Sequence, residues 1–307
     1  MRIVFFGTPA FAEASLRALL HAGHHVVGLV TQPDRPHGRS RSVLVPPPVK
    51  LLADSEGIPV LQPERPTGDV FLAGLRRFDA DLGIVVAYGH ILRQEVLDTP
   101  RLGMLNVHAS LLPRLRGAAP IQWAIARGDS RTGVSIMRME AGLDSGPVFH
   151  RLATPIGERE TGGELTDRLA RIGAEALTET LARMPRLLLE GEPQDDSLAT
   201  YAPKITRQSA RIDWSRDAES IARGIRAFDP VPGAWAELDG QEVKLFGGTA
   251  GEGIGEPGRV LAADDRLLIA TGLGAVEVME VQPAGKRRLD AAAWLHGRPP
   301  LTGGQFT

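Results

Sequence analysis

Asn106, His108 and Asp144 are the residues whose types and spacing best suit chemistry. In Asn106-Val107-His108-Ala109-Ser110 the carboxamide and the imidazole stand two positions apart, so on a strand both project to one face. An amide NH2 supplies a fixed hydrogen-bond donor. An imidazole donates to a developing oxyanion or carries a proton near neutral pH. Asp144 lies in the glycine-flanked run Gly142-Leu143-Asp144-Ser145-Gly146, where backbone freedom can bring a side chain over strand ends. A carboxylate there would orient the imidazole and stabilise its charged form. Each residue also has an ordinary role. One histidine among eight is usually a surface or satisfied core residue, and Asp or Asn beside glycine commonly forms turns. Spacing alone supports a polar cluster at the ligand edge of a sheet.

A cluster of that kind needs strands whose carboxyl ends are aligned. The first two hundred residues alternate short β-rich runs with helical patterns, as βαβ units of a mostly parallel sheet do. Strands are expected over Arg2–Phe6, Val26–Val30, Gly57–Val60, Asp81–Ala87, Gly103–Ala109, Gly133–Met139 and Pro147–Ala153. Helices are expected near residues 9–20, 49–56, 69–78, 91–97 and 119–127, with a long one over Gly163–Leu189. Thr31–Pro48, rich in proline and arginine, reads as no regular element; a loop this long in an α/β domain is usually functional or disordered. Gly191–Arg207 has the Pro, Asp, Ser and Thr density of a linker. Beyond it, short alternating strands over 234–238, 243–246, 259–262, 267–270 and 276–281 are separated by glycine-rich turns. They read as a small β-barrel of the oligonucleotide-binding (OB-fold) type. The expected organisation is a 1–190 α/β domain, a 191–207 linker and a 208–307 barrel.

At 307 residues, with 43% hydrophobic and 23% charged residues, the chain is an ordinary globular protein with room for two domains. Cysteine is absent, which excludes disulfide scaffolding, thiolate metal sites and cysteine nucleophiles. No apolar run approaches the ~20 residues of a membrane span, and Met1–Gly7 reads as a strand ending in a glycine turn and not as a signal peptide. The expected address is cytoplasmic and the default state a monomer. Net charge is −2, so composition does not announce a nucleic-acid binder. Basic residues cluster at Arg35-Arg39-Arg41 and Lys286-Arg287-Arg288; a solvated charge cluster is the ordinary account of each residue. Gly7-Thr8-Pro9 lacks the later glycines of a dinucleotide fingerprint, and Pro9 removes a backbone donor. A nicotinamide cofactor is therefore disfavoured. No phosphate-binding, zinc-protease or serine-hydrolase motif occurs, and nothing calls for a metal.

The run Ser110-Leu111-Leu112-Pro113-Arg114-Leu115-Arg116-Gly117-Ala118-Ala119-Pro120-Ile121-Gln122-Trp123, directly after Asn106-Val107-His108, resembles the signature of folate-dependent formyltransferases. Phe6–Pro9, Thr31–Pro36, Val85–Gly89, Gly142–Gly146, Ala210–Trp214 and Gln282–Lys286 agree with the branch acting on methionyl-tRNA. The resemblance is ordered and spans essentially the whole chain. It implies a Rossmann-like catalytic domain, an OB-like barrel, and transfer of a formyl group from 10-formyltetrahydrofolate to the α-amino group of methionine on initiator methionyl-tRNA. The family's catalytic trio falls on Asn106, His108 and Asp144. Its folate-contacting segment falls on Ser110, Leu111, Leu112 and Pro113, the two leucines expected as a wall for the pterin. Its tRNA-facing insertion falls on the 31–48 loop, with Arg39 at the key contact. Arg35, Arg41, Lys286, Arg287 and Arg288 are the further tRNA candidates. Ala10, Arg93 and Leu115 depart from residues common in the family, which bears on packing outside the trio. Formyltransferases of nucleotide-sugar amines or of glycinamide ribonucleotide are the enzyme alternatives. The latter resembles only the first domain. An RNA-binding module with a decayed catalytic domain is disfavoured by the intact trio.

Overall fold

The first strand, Arg2–Gly7 (β1), carries Ile3, Val4, Phe5 and Phe6 with no exposure at all, as expected of a parallel strand covered on both faces. In the computed structural model, which describes residues 1–37, 43–184, 191–297, 299 and 301–307, it is followed by Ala10–His21 (α1), His25–Val30 (β2), Arg35–His37 (β3), Val43–Val45 (β4), Pro48–Ser55 (α2), Val60–Leu61 (β5) and Asp69–Arg76 (α3). Leu82–Val86 (β6), Gln94–Leu97 (α4), Met104–His108 (β7), Pro120–Arg127 (α5), Arg131–Arg138 (β8), Val148–Pro155 (β9) and Gly162–Ala182 (α6) come next. The final third holds Ala218–Ala227 (α7), Ala234–Leu238 (β10), Gln241–Phe246 (β11), Thr249–Gly251 (β12), Val260–Ala263 (β13), Leu267–Ala270 (β14), Ala275–Val278 (β15), Glu280–Pro283 (β16), Leu289–Asp290 (β17) and Ala291–His296 (α8).

Contacts divide the chain into two units. Met1–Gly117, Thr132–Thr154 and Thr166–Tyr201 form the first; Ala118–Arg131, Pro155–Leu165 and Ala202–Thr307 form the second. The first is built on a seven-stranded sheet of order β5-β2-β1-β6-β7-β8-β9. Strands β5, β2, β1, β6 and β7 run parallel, and β8 is antiparallel to β7. The order turns back between β1 and β6, and such a switch point opens a crevice at the strands' carboxyl ends. Gly7 closes β1 there: a Cβ on it would sit 2.8 Å from Ala12 Cβ and 3.2 Å from the Val86 carbonyl, so glycine lets α1 approach the sheet. Thr31–Pro48 differs from its expectation. Arg35–His37 pairs antiparallel with Val43–Val45, while Arg39 and Arg41 lie outside the described residues. The pairing escaped notice because Val43, Leu44 and Val45 are exposed and show no alternation.

The second unit has two four-stranded antiparallel sheets, β10-β11-β16-β17 and β12-β15-β14-β13. The single strand expected over 276–281 is two, broken at Met279, whose N–H still donates to the Phe246 carbonyl at 3.2 Å. A strand that changes sheets makes a corner of this kind. The short β12 and β17 were also not expected. On the opposite side, isolated bridges Leu238↔Phe306 and Arg259↔Gln305 tie the last residues to both sheets. Helix α5 packs against α7 within this unit. Among the described residues no helix is long and apolar enough to cross a membrane.

Candidate active site

Strand β7 positions the first two residues of the trio. Its register is regular on both sides, with Asn106 opposite Val85 and Met137, and His108 opposite Ser135. Asn106 and His108 therefore share one sheet face. Val107 takes the other, where its Cγ1 comes within 2.9 Å of the space a Cβ on Gly173 of α6 would fill. Asp144 comes from the turn between β8 and β9. It holds φ at 47° without being glycine, and Gly146 makes the turn feasible, since a Cβ there would stand 2.2 Å from the Arg138 carbonyl oxygen.

Asp144 and His108 come together, with one addition, while Asn106 shares with His108 a face of β7. Asp144 Oδ2 lies 3.6 Å from His108 Nδ1, with the side chains 17% and 6% exposed; this is an ion-pair distance, longer than a hydrogen bond. The same oxygen accepts the Gly117 N–H at 2.8 Å. His108 Nε2 stands 3.0 Å from the Leu115 carbonyl oxygen. A carbonyl only accepts, so Nε2 carries hydrogen. The imidazole is thus bracketed by two acceptors, hydrogen-bonded to one through Nε2 and within ion-pair distance of the other through Nδ1. The Asn106 carboxamide has no hydrogen-bond partner among the described residues and is only half-buried. It is the open donor of the site.

Ser110–Pro113 follows β7 directly. Ser110 Oγ donates to the Arg114 carbonyl at 2.6 Å, and Ser135 Oγ donates to the Ser110 carbonyl at 2.7 Å while accepting the Leu112 N–H at 3.0 Å. The two leucines expected as a wall differ in burial. Leu112 is 2% exposed and packs with Met137 and Val148 in the core; Leu111 and Pro113 are the half-buried members of the segment. Ser135 was missed. Its signal was a hydroxyl amid the apolar residues Val134, Ile136 and Met137, which must find a partner.

The basic candidates behave differently from one another. Arg35, exposed on β3, donates to Gln32 Oε1. Lys286 and Arg287 are exposed in the turn after β16. Arg288 is committed: its Nη1 and Nη2 reach the two carboxylate oxygens of Asp229 at 2.7 and 3.1 Å, its Nε reaches Glu280 Oε2 at 3.0 Å, and it lies 3.9 Å from the centre of the Phe246 ring. A cavity of about 520 Å³ in the second unit, lined in part by Lys204, Arg207, Trp235 and Lys244, had no sequence signal. No group of three or more metal-ligating side chains is found among the described residues.

Residues 1–181 match the formyl transferase family and 204–299 the formyl transferase C-terminal domain. The chain is 50% identical over 299 residues to the methionyl-tRNA formyltransferase of Pseudomonas fluorescens (strain SBW25), covering 97% of this chain and 94% of that one. Likeness to the enzyme of the same name from Ruegeria pomeroyi is 50%, covering 97% and 98%. In fold it is similar to HypX from Aquifex aeolicus (TM-score 0.68, 22% identity, covering 96% of this chain and 48% of that chain). It is likewise similar to an N-formyltransferase from Helicobacter canadensis (TM-score 0.67, 15% identity, covering 92% and 98%). Matched over both of its halves by the family's models and 50% identical to a relative over nearly its full length, this protein belongs to the formyl transferase family.

Proposed function

We propose that the chain moves the formyl group of 10-formyltetrahydrofolate to the α-amino group of methionine on initiator methionyl-tRNA, acting in the cytoplasm as a monomer. Its catalytic domain is residues 1–190 and its OB-like barrel 208–307. Near-full-length likeness to proteins named for this reaction supports the acceptor. The open Asn106 carboxamide beside the bracketed His108 is the observation that carries the chemistry.

A neutral amine attacks the formyl carbon, and the formyl oxygen gains negative charge. The tetrahedral centre then collapses, the bond to N10 breaks, and tetrahydrofolate leaves with N10 bearing a proton in place of the one the amine gives up. Asn106 donates to that oxygen. His108 joins it once Nε2 leaves the Leu115 carbonyl, the formyl oxygen taking the acceptor's place. Donors that meet charge only as it develops act on the transition state and not on the bound substrate. Asp144 holds the ring's orientation and stabilises its charged form. Ser110, Leu111, Leu112 and Pro113 frame the folate, with Leu111 and Pro113 offering the apolar surface that a flat ring system needs. Phosphate contacts come from the 31–48 loop (Arg35, Arg39 and Arg41) and from Lys286 and Arg287. Arg288 braces that second turn.

The test offers radiolabelled formyl donor with initiator methionyl-tRNA, elongator methionyl-tRNA and a nucleotide-linked amino sugar. Label transferred to the initiator alone is expected. Equal labelling of both tRNAs, or labelling of the sugar in preference, would overturn the assignment.

A further inference from the structure

Asp144 is held from behind. Gln194 Nε2 donates to the Asp144 carbonyl at 2.8 Å and to the Gly146 carbonyl at 2.7 Å. Its Oε1 accepts from Arg116 Nε at 3.1 Å and Nη2 at 2.9 Å. The amide cannot be turned over without loss, because carbonyls only accept and a guanidinium only donates. Arg116 is 4% exposed and its Nη2 continues to Asp196 Oδ1 at 2.8 Å. The same stretch steadies the other side of the imidazole. Thr200 Oγ1 accepts the Leu115 N–H at 2.9 Å, and the Thr200 carbonyl accepts the Arg116 N–H at 2.8 Å. Both acceptors that bracket His108 are therefore fixed by residues 194–200, a stretch that composition marks as linker.

We infer that Gln194 is a positioning residue for formyl transfer, acting through Asp144; this rests on the role given to Asp144 above. A non-glycine residue at φ 47° persists only where its surroundings over-determine it. One amide hydrogen on the residue itself and the other two residues later span the turn. The carboxylate stands 3.6 Å from Nδ1, so a displacement of a few tenths of an ångström decides whether the two groups make contact. Misplacement of a catalytic group by ~1 Å can cost about 10²-fold.

Gln194→Glu keeps an acceptor for Arg116 while replacing both hydrogens that face the turn by oxygen. Gln194→Ala removes the whole bridge. Each variant is assayed with initiator methionyl-tRNA and 10-formyltetrahydrofolate, alone and combined with Asp144→Asn, alongside Tm. We expect Gln194→Glu to lower kcat roughly 10- to 100-fold, with KM for the formyl donor close to wild type and the variant folded at the assay temperature. On the Asp144→Asn background it should cause no further loss, since residues acting as a unit are not additive. Wild-type kcat with a lowered Tm would reduce Gln194 to a structural residue and overturn the inference. A full multiplicative loss on top of Asp144→Asn would place its action elsewhere and also overturn it. Undiminished transfer by Asp144→Asn alone would instead remove the role of Asp144, and the inference with it.

Discussion

Two glycine-containing turns between antiparallel strands, one in each unit, carry charge to opposite ends. In the β8–β9 turn the acid is drawn inward, Asp144 being 17% exposed and held by the Gly117 N–H. In the β16–β17 turn, which reverses at Gly285 with φ 71°, Lys286 and Arg287 stand in solvent. Arg288 alone turns back, onto Asp229, whose side chain is 8% exposed. The difference lies in what surrounds the charge. A turn residue becomes a group of an enclosed site when other polar groups fix it; left unfixed, it is a screened surface charge until a partner meets it. Arg288 shows the intermediate case, one-third exposed yet paired with Asp229 and Glu280.

The largest effect is expected at the open donor: Asn106→Ala should lower kcat by about 10²–10³-fold with Tm unchanged. A ten-fold loss or less would move the oxyanion elsewhere. Next, Arg288→Ala should destabilise the protein by about 2 kcal/mol in urea unfolding, less than the full cost of a buried pair because the arginine is one-third exposed. Lys286→Ala should stay within about 0.5 kcal/mol, and equal midpoints for the two variants would erase the distinction drawn here. On the recognition side, Lys286→Ala or Arg287→Ala should reduce the salt slope of tRNA affinity by about one while leaving the folate KM unchanged. An unchanged slope would remove that turn from the tRNA surface. The smallest effect concerns Asp34, whose carboxylate is held below its ordinary range by the Gln62 amide and then by Lys50. A lowered folded value contributes stability above the unfolded value, and that contribution is lost as pH falls through the folded one. Asp34→Asn should therefore flatten the drop in Tm between about pH 5 and pH 3; an unchanged acid limb would count against it.

Much of the parallel sheet was legible because its strands are apolar runs punctuated by glycine and proline. The pairing of Asn106 with His108 followed from the two-residue period alone. The β10–β11 hairpin was legible too: Asp239 and Gly240 take φ of 52° and 73°, as an Asp-Gly turn between two strands should. Elsewhere the deciding contacts are distant in sequence. Gln194 meets the carbonyl of a residue 50 positions away, and nothing in its neighbourhood marks it. Leu115 and Gly117 act through backbone atoms, which residue type does not display. Arg288 reads as surface charge because its partner Asp229 lies 59 residues off. The corner at Met279 was invisible because the residues on both sides of it are equally strand-like.

The bridges at Gln305 and Phe306 have a bearing on biosynthesis. They join residues 259 and 238 to a segment made long after both, so the seam of the second unit cannot close until residue 306 has left the ribosome. The β10–β11 hairpin can form as it emerges, whereas closing the seam means bringing together residues far apart in the chain, which is slow. A nascent chain would then carry a folded α/β portion ahead of two unstitched sheets, and their open edges are where a chaperone would find its client.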